Sequence, residues 1–151
     1  MFQFHPLRES EAKEYLALMH EAFDNDGEEP TFMCLEEFLR LLTLARMSGN
    51  QIYTMTDETH EILLGTGKLI FDHKFYHNAG LAIHIEDVAI SKAFRGKGYG
   101  KQLIKFLVDC AQKMHAYKIV LNCNLDTVPF YERCGFQEEG TQMIQRFPKK
   151  D

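Results

Sequence analysis

The residues best equipped to do chemistry lie in one stretch, Val88-Ala89-Ile90-Ser91-Lys92-Ala93-Phe94-Arg95-Gly96-Lys97-Gly98-Tyr99-Gly100. Arg95, Gly98 and Gly100 fall in an R-x-x-G-x-G pattern between an apolar strand and an amphipathic helix. Glycines let the backbone turn sharply and approach a bulky ligand without Cβ clashes. The first amides of the helix that follows have no partner inside it. With the positive end of the helix dipole behind them, they suit a phosphate or pyrophosphate. Arg95, Lys97 and Lys101 add positive charge at the same place. Just upstream, Glu86-Asp87 are adjacent carboxylates, read either as solvated strand-edge charges or as groups that hold an amine and hydroxyls. Further on, Pro129-Phe130-Tyr131-Glu132-Arg133-Cys134-Gly135-Phe136 reads as core at Phe130, Cys134 and Phe136. Tyr131 is either core as well or an acid able to protonate a leaving thiolate.

These groups need elements to position them. Ile83 and Ile85 keep period two; Val88 and Ile90 keep it on the other phase, with the slip at Glu86-Asp87. An extra residue in a strand is how a β-bulge looks in sequence, and a bulge frees backbone N–H and C=O groups to bind something else. A strand buried on both faces would also lack clean alternation. After the glycine turn, Leu103, Leu107, Cys110 and Met114 share a helical face. Earlier, Phe2, Phe4 and Leu7 suggest a first strand. Tyr15, Leu18, Met19 and Ala22 mark one helix, opened by Ser10 and Glu11, and Leu35, Phe38, Leu39 and Leu42 mark another, ended at Gly49. Asp24 to Pro30 reads as a loop. Strands are expected at Gln51 to Met55, Ile62 to Phe71 and Lys118 to Cys123, with a hairpin turn at Asp57 to His60. Thr127 is expected to cap a short helix with Pro129 in its first turn and Gly135 at its end. Phe136 resumes extended structure, and Thr141 to Phe147 reads as a last strand. The outline is βαα, then antiparallel strands, then βαβαβ: a mixed α/β fold around a twisted sheet.

A chain of 151 residues is expected to form one domain. Its apolar content of 45% is enough for a real core, and its net charge of −5 does not suggest a nucleic-acid partner. Cys34, Cys110, Cys123 and Cys134 show no C-x-x-C spacing, and three of them read as reduced core thiols of a cytosolic protein. No apolar run approaches the ~20 residues that span a bilayer. His73 and His77 are four apart in a loop, which does not make a metal site. Gly65-Thr66-Gly67-Lys68 lacks the rest of a phosphate loop and falls inside a strand pattern.

Together the bulged strand, the glycine turn and the late tyrosine resemble the GNAT superfamily of acetyl-CoA-dependent N-acetyltransferases. The runs His84-Ile85-Glu86-Asp87-Val88 and Tyr117-Lys118-Ile119 are similar to those of its glucosamine 6-phosphate N-acetyltransferase branch. The match runs from about Gly65 to Phe147. The resemblance implies a GNAT fold with acetyl-CoA as cosubstrate and no metal. Backbone at Val88, Ala89 and Ile90 would hold the pantetheine arm and thioester carbonyl. Gly96, Lys97, Gly98, Tyr99, Gly100 and Lys101 would cradle the pyrophosphate, with Arg95, Thr127 and Phe130 also on the cofactor side. Tyr131 would protonate the coenzyme A thiolate. Lys74, Phe75, Tyr76 and His77 match sugar-phosphate contacts, as do Glu86, Asp87, Val88, Tyr117, Lys118, Asn122 and Arg146. The branch exchanges its last strand across a dimer, which implies a homodimer with sites at the interface, in the cytoplasm, without nucleic acid or membrane. Thr127 stands where the branch commonly has asparagine, Asn122 where it has an acid, and Asp24 near its N-terminal threonine. An acceptor such as a polyamine or protein lysine, or a coenzyme A sensor without catalysis, are the competing readings. The cationic set Lys74, His77, Lys118 and Arg146 favours a phosphorylated acceptor.

Overall fold

Period-two alternation drives five segments into one sheet: β1 (Phe2–Pro6), β2 (Gln51–Asp57), β3 (Leu63–His73), β4 (Leu81–Ile90) and β5 (Lys118–Val120). They lie in that order, the first four antiparallel neighbours and β5 parallel to β4. The helices are α1 (Ala12–Phe23), α2 (Leu35–Met47), α3 (Tyr99–Lys113) and α4 (Val128–Arg133). The computed structural model describes residues 1–23 and 33–148; the loop expected at Asp24 to Pro30 lies outside the described residues. The chain divides into two units, Met1–Leu121 and Asn122–Asp151.

In the first unit α3 supplies the main hydrophobic payload. Leu103, Ile104 and Leu107 are wholly buried with Met55, Leu69 and Ile83 of the strands. Burying each such side chain is worth roughly 1.5–3 kcal/mol. Phe106 of α3 stacks on Phe4 at 4.2 Å and Tyr99 meets Phe2 edge-on at 5.9 Å, which fixes where α3 begins against the sheet. A second cluster joins Leu7, Ala12, Phe38 and Leu42, with Tyr15, Leu16, Leu39 and Ile52 packed around it. Leu18 of α1 and Phe38 and Leu42 of α2 are buried as their periodicity predicts, while Leu35, at the start of the α2 stripe, is 59% exposed.

Gly65 and Gly67 of β3 are demanded by packing, not by phosphate. A Cβ on Gly65 would sit 2.5 Å from Ile90 Cδ1 and 2.8 Å from the Ala89 carbonyl oxygen; one on Gly67 would sit 2.7 Å from Leu107 Cδ1. The two glycines therefore let β4 and α3 close onto β3.

In the second unit Thr127 precedes α4, but its hydroxyl donates to the Asn124 carbonyl at 2.8 Å and caps no helix amide. That corrects the expected side-chain cap. Gly135 ends α4 with φ of +95°, and the Phe136 N–H donates back to the Tyr131 carbonyl at 3.1 Å. No strand follows Val120 among the described residues, so the one expected at Thr141 to Phe147 does not form and β5 stops short of Cys123. A strand exists only where a neighbour takes its backbone hydrogen bonds. Met143, Ile144 and Phe147 are left 91%, 59% and 79% exposed. All four cysteines are free thiols, but Cys34 and Cys123 are exposed and the other two only half-buried, so none is the core residue expected.

Candidate functional site

The site is built on a fault in β4. Ile85 faces Leu69 and Ile90 faces Gly65, so five steps along β4 match four along β3. The surplus residue is at Asp87, whose φ of +53° is left-handed, a conformation that costs an ordinary side chain about 1–2 kcal/mol. The extra residue explains the phase slip read in the sequence: after it, Val88 and Ile90 return to the face shared by Ile83 and Ile85. β5 pairs with β4 only from Ala82 to His84. From Ile85 to Ile90 the edge of β4 turned away from β3 carries no strand among the described residues. Along that edge the backbone of Val88 and Ala89 has no strand partner among the described residues.

Beyond the bulge the chain makes the glycine turn. The Arg95 side chain donates through Nε to the Ile90 carbonyl at 2.9 Å, tying the turn to the end of β4. Gly96 and Gly98 have φ of +75° and +84°, and a Cβ on either would meet nothing within 4 Å. Their freedom is thus needed for the turn itself, and the space above them is open to a ligand. Gly98 stands at the N-cap of α3 and offers no side-chain cap; its carbonyl accepts from Gln102 at 3.3 Å. The amides that begin α3 at Tyr99, Gly100 and Lys101 are therefore left for a guest, with Lys97 5.4 Å above the Phe94 ring. An uncapped helix terminus, open room at the glycines and an unpaired strand edge together fit the pyrophosphate and amide arm of acetyl-CoA.

Asp87 is not a free carboxylate. Lys68 of β3 reaches it at 2.7 Å, and Tyr15 of α1 is pushed up to about 12 by burial and then by the Asp87 charge. Sequence reasoning passed over both; the only available signal was Lys68 lying inside a strand pattern that pairs with the Glu86 strand. Lys68 is in fact directly opposite Glu86 in the ladder, and Glu86 forms no ion pair with the described residues. Two residues before Glu86, His84 lies 3.7 Å from Asp72, which also holds the Lys74 ammonium. That lysine keeps the Asp72 carboxyl below its ordinary range, and Asp72 in turn raises Lys74.

Tyr76, His77, Tyr117 and Lys118 gather at the far end of β4. His77, Asn78 and Ala79 all have positive φ, and the turn closes where the Gly80 N–H donates to the Tyr76 carbonyl at 3.1 Å. A Cβ on Gly80 would strike the Tyr117 ring at 2.8 Å. The His77 and Tyr117 rings are 4.7 Å apart, with Lys118 5.6 Å over the latter and Lys74 5.8 Å over Tyr76. Phe75 stands fully exposed. Five steps of β4 lead from Leu81 to Glu86, roughly 16 Å of strand, so this cluster and the bulge are two sites within the first unit.

In the second unit Tyr131 sits on α4, its ring 4.9 Å from Phe130 and 6.0 Å from Phe136. Burial, then the Cys123 and Cys134 thiols, push its hydroxyl above the ordinary value of 10.0, so it stays protonated at neutral pH. Asn122, Thr127 and Arg146 are exposed. Among the described residues no group of three His, Cys, Asp or Glu side chains could hold a metal, and no helix is long and apolar enough to cross a membrane.

A bulged, splayed strand leading through a glycine turn into an uncapped helix defines the acyl-CoA N-acyltransferase fold. The chain belongs to the Acetyltransferase (GNAT) family, whose model matches residues 8–136. It is 38% identical over 114 residues to glucosamine 6-phosphate N-acetyltransferase of Arabidopsis thaliana, covering 74% of this chain and 76% of that one. It is also 38% identical over 86 residues to the enzyme of the same name in Candida albicans, covering 57% and 58%. The crystal structure of the Arabidopsis enzyme superposes with a TM-score of 0.86 at 31% identity, covering 98% and 99% of the two chains. A Trypanosoma brucei acetyltransferase superposes at 0.88 with 25% identity, covering 97% and 100%.

Proposed function

We propose that this chain transfers the acetyl group of acetyl-CoA to the amine of glucosamine 6-phosphate, giving N-acetylglucosamine 6-phosphate and CoA, a step toward UDP-N-acetylglucosamine. The observation that carries the reading is the bulge of β4, with Glu86 and Asp87 on it and no strand along its outer edge among the described residues, in a chain 38% identical over 114 residues to an enzyme of that name. When bound, acetyl-CoA supplies an activated acyl group; the chain's residues bind, orient and move protons. Amides at Tyr99, Gly100 and Lys101 take the pyrophosphate. Backbone N–H groups at Val88 to Ile90 donate to the thioester oxygen, and one such preorganised donor is typically worth roughly 3 kcal/mol in the transition state. Glu86, with Asp87 held beside it in its pair with Lys68, orients the acceptor amine; water at these carboxylates takes up the proton the amine loses, and Tyr131 protonates the departing thiolate. Direct attack with both substrates held together needs no protein nucleophile.

The proposal includes a single GNAT domain over residues 1–151 acting as a homodimer. The support is physical: Met143, Ile144 and Phe147 are exposed on a segment whose sequence is strand-like, and the cationic cluster lies roughly 16 Å from the bulge within one chain. An exchanged strand from a second copy would cover the first and bring sugar-phosphate contacts such as Arg146 to the site. The chemistry needs neither nucleic acid nor membrane, and a cytoplasmic location is part of the proposal. Sedimentation should give a dimer, and removal of residues 141–151 a monomer without turnover; a monomeric, fully active intact chain would remove the dimer.

The activity is tested by thiol release from acetyl-CoA with glucosamine 6-phosphate, glucosamine and spermidine compared. The phosphorylated sugar should exceed the other two by at least tenfold in kcat/KM, as two or more charge-assisted phosphate contacts imply. Preference for an unphosphorylated amine overturns the substrate.

A further inference from the structure

The strip where β3 and β4 meet carries Lys68, Asp72, His84, Glu86 and Asp87, with His73 ending β3 and Lys74 one residue beyond it. Lys74 pairs with Asp72, and Lys68 pairs with Asp87 at 2.7 Å. Tyr15, the other titratable group that faces Asp87, keeps its proton. Among the described residues Glu86, next to the bulge, is the carboxylate of this strip without an ion pair of its own. Two adjacent carboxylates in a chain of net charge −5 would otherwise be a receptor for dications. Lys68 is 23% exposed, so its ammonium is held in place between strands instead of wandering in solvent.

The structure assigns to Lys68 a specificity role: by pairing with Asp87 it leaves Glu86 as the one free carboxylate at the bulge among the described residues, matched to an acceptor bearing one ammonium group and mismatched to di- and polyamines. The inference rests on reading the bulge as the acceptor end. It makes Lys68 a determinant of which amine binds, without direct part in acyl transfer. Specificity of this kind is a difference between affinities, and a built-in counter-charge acts against the wrong ligand more than for the right one.

The test is calorimetric titration of CoA-saturated protein with 1,4-diaminobutane and with butylamine. Wild type should bind the two within about threefold, because only one carboxylate is free. Lys68→Met should raise the diamine-to-monoamine affinity ratio by about tenfold, and Lys68→Arg should leave it at the wild-type value. An unchanged ratio in Lys68→Met overturns the proposal, as does an equal rise in Lys68→Arg. A wild-type preference of tenfold or more for the diamine overturns it without any variant, so a misfolded Lys68→Met does not shelter it. Failure of the activity itself is read separately, as absence of thiol release by wild type with glucosamine 6-phosphate.

Discussion

Tyr131→Phe is expected to lower kcat by about 100-fold or more while leaving acetyl-CoA affinity within about twofold. The substitution removes one oxygen and keeps the ring, so its edge contacts with Phe130 and Phe136 survive. What is lost is a proton that burial holds on the hydroxyl above the ordinary value of 10.0. The sign follows: a donor must be protonated, and a raised value keeps it so throughout the neutral range. Turnover in wild type should therefore show no loss from this group until pH passes 10, and the mutant should lack that alkaline limb. The measurement is kcat against pH for both proteins, with acetyl-CoA affinity from titration. Unchanged turnover in Tyr131→Phe removes the acid role, and an equal loss of affinity would make the residue structural.

Gly65→Ala is expected to have the second large effect, on stability and on the outer edge of β4 together. Gly65 faces Ile90, and an added Cβ would overlap Ile90 Cδ1 and the Ala89 carbonyl oxygen, the second of which is backbone and cannot rotate away. Overpacking of this kind costs about 2–3 kcal/mol, which for a chain of this size corresponds to roughly 5–10 °C in Tm. Because the strain falls on Ala89 and Ile90, on that edge, acetyl-CoA affinity should drop as well. A thermal melt and a binding titration check both; a melt within 2 °C of wild type would show that β4 yields at no cost and that its spacing from β3 is not fixed by the glycine.

The same region shows how far residue types alone carry the reading. The bulge was legible because an extra residue must shift a two-residue period, and the side chains of Ile83, Ile85, Val88 and Ile90 record that shift. The glycine turn was legible because left-handed backbone at Gly96 and Gly98 selects glycine. Helix faces were legible from spacing at Leu18 of α1, Phe38 and Leu42 of α2, and Leu103 and Leu107 of α3, while Leu35 and Met114 at the stripe ends stay exposed. The family resemblance rested on the same runs.

What the chain's own residue order could not determine was pairing between groups distant along it. Lys68 and Asp87 meet only because a one-residue surplus in β4 sets the register against β3; nothing local to either residue announces the contact. Gly65 and Gly67 looked like fragments of a phosphate loop, and only the approach of Ile90 and Leu107 shows that they are there to let strand and helix close. Thr127 had the right type for a cap, yet its hydroxyl turned to Asn124. The segment from Thr141 to Phe147 had strand-forming residues and formed none, because β propensity needs a neighbour to accept its hydrogen bonds. Local sequence thus determined the turn, the bulge and the helix faces, whose causes act within a few residues. Register, ion pairing and strand partnership are properties of surfaces meeting, and the tertiary structure alone decided them.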